Sequence, residues 1–165
     1  MATATRHLSY YDPKGVPNGK GMRIALVISE WNREITDALR EGARSTLLAH
    51  GVAAKNIVEA WVPGSFELAG GVQSLMRDRR IDGAICIGSI VKGETPHFDY
   101  VSQATAQGIM TVGLAHAKPV IFCVLTDNTL QQARDRSGGK HGNKGVDCAV
   151  ACLKMVALRR KTARR

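Results

Sequence analysis

The segment with the most chemical potential in this chain is Gly88-Ser-Ile-Val-Lys-Gly-Glu-Thr-Pro-His97-Phe-Asp-Tyr100. An apolar run, Ala84 to Gly88, stops at a glycine, and a polar loop carries Lys92, Gly93, Glu94, Thr95 and, after Pro96, His97. The chain then turns helical. Backbone amides of Gly93 to Thr95, with the Thr95 hydroxyl, could hold a phosphate near a helix N-terminus. An imidazole at that place could act as general acid or base. Such a site suits proton transfer on a phosphorylated small molecule. The same residues would also serve as the capped start of a surface helix, and the loop alone does not decide between the two.

Three other segments carry polar or aromatic groups at comparable positions. Ser29-Glu-Trp31-Asn places an indole at a strand end, either as core or as a stacking surface for a planar ring. Trp61-Val-Pro-Gly-Ser-Phe-Glu-Leu68 has a Pro63-Gly64 turn that lets the backbone approach a ligand. Ser65 and Glu67 there could bind a polyol or ring NH groups, or Ser65 could cap the next helix with Glu67 in its first turn. The run from Ala133 to Gly145 sets Arg136 and Lys144 among glycines before a helix, which reads as an anion site or a solvated loop. It lacks the spacing of a P-loop.

The elements that must position these segments follow from periodicity. Strands are expected at Arg23–Ser29, Ile57–Val62, Gly83–Ser89 and Pro119–Leu125. Helical faces are expected from Ile35, Leu39, Ala43 and Leu47, over Phe66–Arg80, over Phe98–Ala115, over Thr129–Arg134, and from Val146 through Val156. Strands alternating with helices imply an α/β three-layer sandwich, a four-stranded parallel sheet with helices on both faces. Ligands of such sheets lie beyond the C-terminal strand ends, which is where the four segments fall. Residues 1–21 read as an arm, flexible or docked on a neighbouring subunit through Tyr10, Tyr11 and Pro13. Residues 22–158 read as a single domain, and 159–165 as a basic tail.

Composition narrows the function classes. The 165 residues include no apolar run near the ~20 residues that span a bilayer, and the N-terminal stretch has no secretory apolar core. The expectation is a soluble, cytoplasmic protein without a membrane partner. The formal charge of +9 suggests nucleic acid until it is located: six basic residues and no acids lie between Lys154 and Arg165, and removing them leaves +3. No aromatic residues interleave that end to stack bases, so nucleic acid is not an expected partner. Cys86, Cys123, Cys148 and Cys152 form no CxxC pair and read as structural thiols, with no metal site.

Taken in order, the motifs Trp61-Val-Pro-Gly-Ser-Phe-Glu-Leu68, Gly88 to Val101, Pro119-Val-Ile-Phe122 and Gly142-Asn-Lys-Gly-Val-Asp-Cys-Ala149 resemble the lumazine synthase family, from about Met22 to Leu158. The resemblance implies a flavodoxin-like fold. It also implies condensation of two small-molecule substrates, 5-amino-6-(D-ribitylamino)uracil and 3,4-dihydroxy-2-butanone 4-phosphate. The products are 6,7-dimethyl-8-ribityllumazine, phosphate and water, and no cofactor or metal is needed.

By the same resemblance, Trp31 stacks on the uracil ring, Ser65, Phe66 and Glu67 hold the ribityl chain, and Ser89, Ile90 and Val91 contact the pyrimidine. Glu94 and Thr95 bind phosphate, and His97 moves protons. Phe122 lines the ring site, Arg136 binds phosphate, and Lys144 lies near it. Phe122 and Arg136 would come from the adjacent chain of a homopentamer. The resemblance extends to assembly as single pentamers, paired pentamers or a sixty-subunit shell, the shell favoured by the short Gly138–Asn143 loop, and to association with riboflavin synthase. Three departures bear on affinity: Ala69-Gly70 where members often have proline, Cys123 where glycine often follows Phe122, and Lys92 where arginine is common. The rival reading is a homologue that binds flavin or lumazine, or forms a cage, without catalysis. The presence of Thr95, His97 and Arg136 argues against it.

Overall fold

A computed structural model describes residues 11–163. Residues 1–10, with Tyr10, and residues 164–165 lie outside the described part. A four-stranded parallel sheet has the order β2-β1-β3-β4, with β1 at Ile24–Ser29, β2 at Ile57–Val62, β3 at Gly83–Val91 and β4 at Val120–Asp127. The helices are α1 (Arg33–Ala49), α2 (Leu68–Leu75), α3 (His97–His116), α4 (Leu130–Arg136) and α5 (Lys144–Thr162). Between α4 and α5 lies a small antiparallel hairpin, β5 (Ser137–Gly139) and β6 (Gly142–Asn143).

The central strands are apolar on both faces because both faces are covered. On one face Ile24, Leu26, Ile28, Ile85 and Ile87 meet Leu39 and Leu47 of α1 and Leu153 and Val156 of α5. On the other, Ala25, Val27, Ala84 and Cys86 meet Leu68 and Val72 of α2 and Ile109 and Val112 of α3. This is the three-layer α/β architecture expected from the alternation of strand and helix. Each fully buried Ile or Leu contributes about 1.5–3 kcal/mol relative to exposure, so the sheet is a rigid platform for its C-terminal edge.

Boundaries differ from the periodic reading where side chains intervene. The helix expected over Phe66–Arg80 is only Leu68–Leu75. Its start is delayed by a turn in which Leu68 N–H donates to the Ser65 carbonyl, and beyond it Asp78 accepts from Arg80 N–H at 2.9 Å. An Asp that bonds local backbone competes with helix continuation. Strands β3 and β4 each run two residues past the expected end, because Ile90 and Val91 pair with Thr126 and Asp127.

Both ends of the described part pack on the body. Val16 lies against the core, Gly19 N–H donates to the His50 carbonyl at 2.7 Å, and Tyr11 Oη meets His50 Nε2 at 2.9 Å. The basic residues Arg159 and Arg160 belong to α5; Arg159 donates to the Ala117 carbonyl and Arg160 to Asp82 and the Gly21 carbonyl. No helix among the described residues is long and apolar enough to cross a membrane.

Candidate active site

The connection from β1 to α1 lies on that from β2 to α2. Glu30 N–H donates to the Val62 carbonyl at 2.9 Å and Trp31 N–H to the Pro63 carbonyl at 3.3 Å. Trp31 is 72% exposed, so it is not core. Its Cδ1 approaches Gly64 closely enough that a Cβ there would sit 3.4 Å away, with Glu67 Oε2 at 2.9 Å. Trp31, Gly64 and Glu67 therefore share one patch. Phe66 is exposed beside it.

Ser65 is buried, and its hydroxyl caps nothing. The capping reading fails because the side chain turns inward over Gly88, where a Cβ would lie 2.6 Å from Ser65 Oγ. Its carbonyl accepts from Leu68 N–H and the Thr105 hydroxyl, both at 3.3 Å. The hydroxyls of Ser29, Ser65 and Ser89 and the Oδ2 atom of Asp127 are all buried without a hydrogen-bond partner among the described residues. These atoms sit at the C-terminal ends of β1, β3 and β4 and in the β2–α2 turn. Buried polar groups usually have partners, so four unsatisfied ones at this end of the sheet, on both of its faces, leave polar atoms available to a ligand there.

Beyond β3, the exposed loop Lys92–Pro96 leads into α3 at His97. Thr95 Oγ1 accepts from His97 N–H at 3.5 Å, which sets Thr95 and His97 side by side at the helix start. Glu94 and His97 are exposed, and Ile90 and Val91 are half-buried at the strand end.

The remaining expected residues lie elsewhere. Phe122 is 40% exposed on β4, an edge strand without a neighbour on its outer side among the described residues. It opens into an apolar groove of about 750 Å³ between α3 and α5, with Met110, Leu114, Met155 and Leu158 on its walls. Arg136 ends α4, and its Nη1 donates to Asp127 Oδ1 at 2.8 Å. Lys144 pairs with Asp147 at 2.8 Å. The glycine-rich run between them is the β5–β6 hairpin, held by Asn143, whose amide donates to the Ala38 and Ser137 carbonyls at 2.9 and 3.0 Å. So the chain brings Trp31, Ser65, Phe66, Glu67, Ser89, Ile90, Val91, Glu94, Thr95 and His97 to the C-terminal sheet edge. Arg136 is held at the C-terminal end of β4 by Asp127, Phe122 lies earlier on that edge strand, and Lys144 opens α5.

Two residues not singled out from the sequence shape this edge. Asn32, in left-handed backbone (φ 55°), donates its amide to the Ser89 carbonyl at 2.9 Å. Asp127 is a carboxylate only 4% exposed at the end of β4. Its signal in the sequence was an acid closing an apolar strand. Among the described residues, no group of three or more His, Cys, Asp or Glu side chains could hold a metal ion.

Comparison with known proteins gives a consistent picture. The family model described as 6,7-dimethyl-8-ribityllumazine synthase matches residues 21–160. A curated 6,7-dimethyl-8-ribityllumazine synthase of Porphyromonas gingivalis is 50% identical over 97% of this chain and 99% of its own length. The protein of that name from Phocaeicola vulgatus is 49% identical over 98% of this chain and 96% of its own. The one from Flavobacterium johnsoniae is 45% identical over 99% of this chain and 86% of its own.

Proposed function

The chain belongs to the 6,7-dimethyl-8-ribityllumazine synthase family, and from that premise we propose how its residues divide the work. It is a transferase of riboflavin biosynthesis that condenses 5-amino-6-(D-ribitylamino)uracil with 3,4-dihydroxy-2-butanone 4-phosphate. The substrate amine adds to the ketone and loses water as an imine. Phosphate leaves by elimination, and ring closure with loss of a second water gives the lumazine.

The observation that supports the site assignment is the set of buried, unpartnered polar atoms at the sheet's C-terminal edge, together with the exposed Trp31 ring at the end of β1. Trp31 stacks on the uracil, while Ser65, Phe66 and Glu67 receive the ribityl chain. Ser89, Ile90 and Val91 meet the pyrimidine. Glu94, Thr95 and the first amides of α3 receive the phosphate, where a helix N-terminus favours an anion. His97 takes and returns the protons that each step moves. Arg136 neutralises the leaving phosphate, and Phe122 and Lys144 close the ring site. Much of the acceleration comes from holding two reactants in register.

The second group is supplied by an adjacent copy. Support comes from the open outer edge of β4 and the apolar groove beside it, with Met110 62% and Leu114 77% exposed. Exposed apolar patches of that kind mark association surfaces. The assembly is a ring of five copies of the domain at 22–158. Rings packed into a sixty-subunit shell, association with riboflavin synthase and a cytoplasmic location complete this reading. Residues 1–21 would serve as an arm and 159–165 as a basic end.

Mixing the purified protein with both substrates and following lumazine fluorescence with phosphate release tests the reaction. Rates no higher than the uncatalysed condensation would overturn it. Mass in solution separates pentamer from shell, and a monomer would overturn the shared site.

A further inference from the structure

We infer that Asp127 is the positioning residue for Arg136, setting which edge of its guanidinium faces the phosphate; the inference rests on the phosphate role proposed above for Arg136. Asp127 is 4% exposed, and its one side-chain partner among the described residues is Arg136 Nη1, 2.8 Å from Oδ1. A buried carboxylate must be paired to stay charged, so the pair is a constraint and not a surface convenience.

Both partners are anchored independently of each other. The Asp127 carbonyl accepts from Lys92 N–H at 2.9 Å, and Asp127 sits opposite Val91 in the sheet register. Helix α4 is fixed by the Thr129 hydroxyl, which accepts from Gln132 N–H, and by buried Ala133. Arg134 adds a two-pronged pairing with Glu34 at 2.8 and 3.0 Å. The carboxylate and the arginine Cα are thus both held, and the guanidinium between them has little freedom.

The grip is through one nitrogen. Arg136 makes no other hydrogen bond among the described residues, and its side chain is 29% exposed. The five N–H donors of a guanidinium lie in a planar fork. Holding Nη1 leaves the Nε and Nη2 edge open, and that edge matches two oxygens of a phosphate. A lysine could satisfy Asp127 but could not also present a fork.

The test is a cycle of steady-state kinetics on the assembled enzyme for wild type, Asp127→Asn, Arg136→Ala and the double variant, with assembly checked by mass. Asp127→Asn should raise KM for the butanone phosphate on the order of tenfold and leave KM for the uracil substrate unchanged. Added to Arg136→Ala, it should change the phosphate KM no further. If Arg136→Ala raises that KM while Asp127→Asn does not, or the two effects simply add, the positioning role is wrong. If Arg136→Ala leaves the phosphate KM unchanged, it is the phosphate role of Arg136 that fails. Arg136→Lys keeps the charge and the single bond, so it decides the matter even if Asp127→Asn does not fold. It should raise the phosphate KM as Arg136→Ala does, and wild-type behaviour would overturn the fork geometry.

Discussion

The side-chain amide of Asn32 donates to the carbonyl of Ser89 at 2.9 Å, joining the first βα connection to the end of β3 across 57 positions of chain. Asn32 holds left-handed backbone, φ 55° and ψ 48°, a region costly for residues with a Cβ but tolerated by Asn and Gly. Two losses can therefore be separated. Asn32→Gly keeps the backbone and loses the bond, at about 1 kcal/mol. Asn32→Ala loses the bond and adds backbone strain, roughly 2–3 kcal/mol in all. Denaturant midpoints measure both, and equal values for the two variants would show that the side-chain bond alone matters.

His97→Ala should lower kcat by roughly 10²-fold or more, the usual worth of a placed general acid–base group, with little change in either KM. Stopped-flow absorbance with both substrates saturating measures this directly. An unchanged kcat would remove His97 from proton transfer.

Gly145 and Gly70 make a contrasting pair. A Cβ on Gly145 would overlap the carbonyl of Leu39, where α5 starts against α1. Backbone cannot yield as a flexible side chain can, so Gly145→Ala should cost about 3 kcal/mol or more. At Gly70, inside α2, a Cβ meets nothing within 4 Å. Gly70→Ala should stabilise by about 0.4–1 kcal/mol through the unfolded chain. Thermal midpoints moving in the same direction would contradict this reading of the two sites.

The thiols divide by access. Burial pushes Cys152 up to about 12 and raises Cys86 well above the ordinary thiol range. Cys123 is raised first by its hydrogen bond with the Cys148 thiol and then by burial. Groups raised in the folded state contribute stability that is full below their unfolded pKa, about 8.5. That stability falls as pH climbs through the folded value, for Cys152 from about 9 to about 12. An aromatic disulfide reagent at pH 8 should modify half-buried Cys148 first and the other three only at the rate of unfolding. Stability should decline above pH ~9, less steeply in Cys152→Ala. Rapid labelling of Cys86 would refute the buried assignment.

The fold was legible because β1 and β3 are continuous apolar runs and Ile35, Leu39, Ala43 and Leu47 repeat every four residues, patterns that burial on two faces enforces. The two ends of α2 were not, since the turn at the Ser65 carbonyl delays its start and Asp78 follows its end, contacts that periodicity does not encode. At the site, the strand-end segments stood out because glycine, proline and polar residues abruptly follow apolar ones. Which serine hydroxyls lack partners, and that Arg136 meets Asp127 at all, depend on side-chain directions across several elements. The outer edge of β4 looked like any strand, because a missing neighbour leaves no mark in the sequence.

That open edge has a genetic consequence. In the shared-site ring proposed above, with Trp31 and His97 given by one copy and Phe122 and Arg136 by the next, one chain lacking His97 and another lacking Arg136 are damaged in different halves. Refolded together in equal amounts, they should rebuild intact junctions at about one in four boundaries of a mixed ring. Two alleles that are each inactive would then complement one another, while a single allele carrying both changes would not.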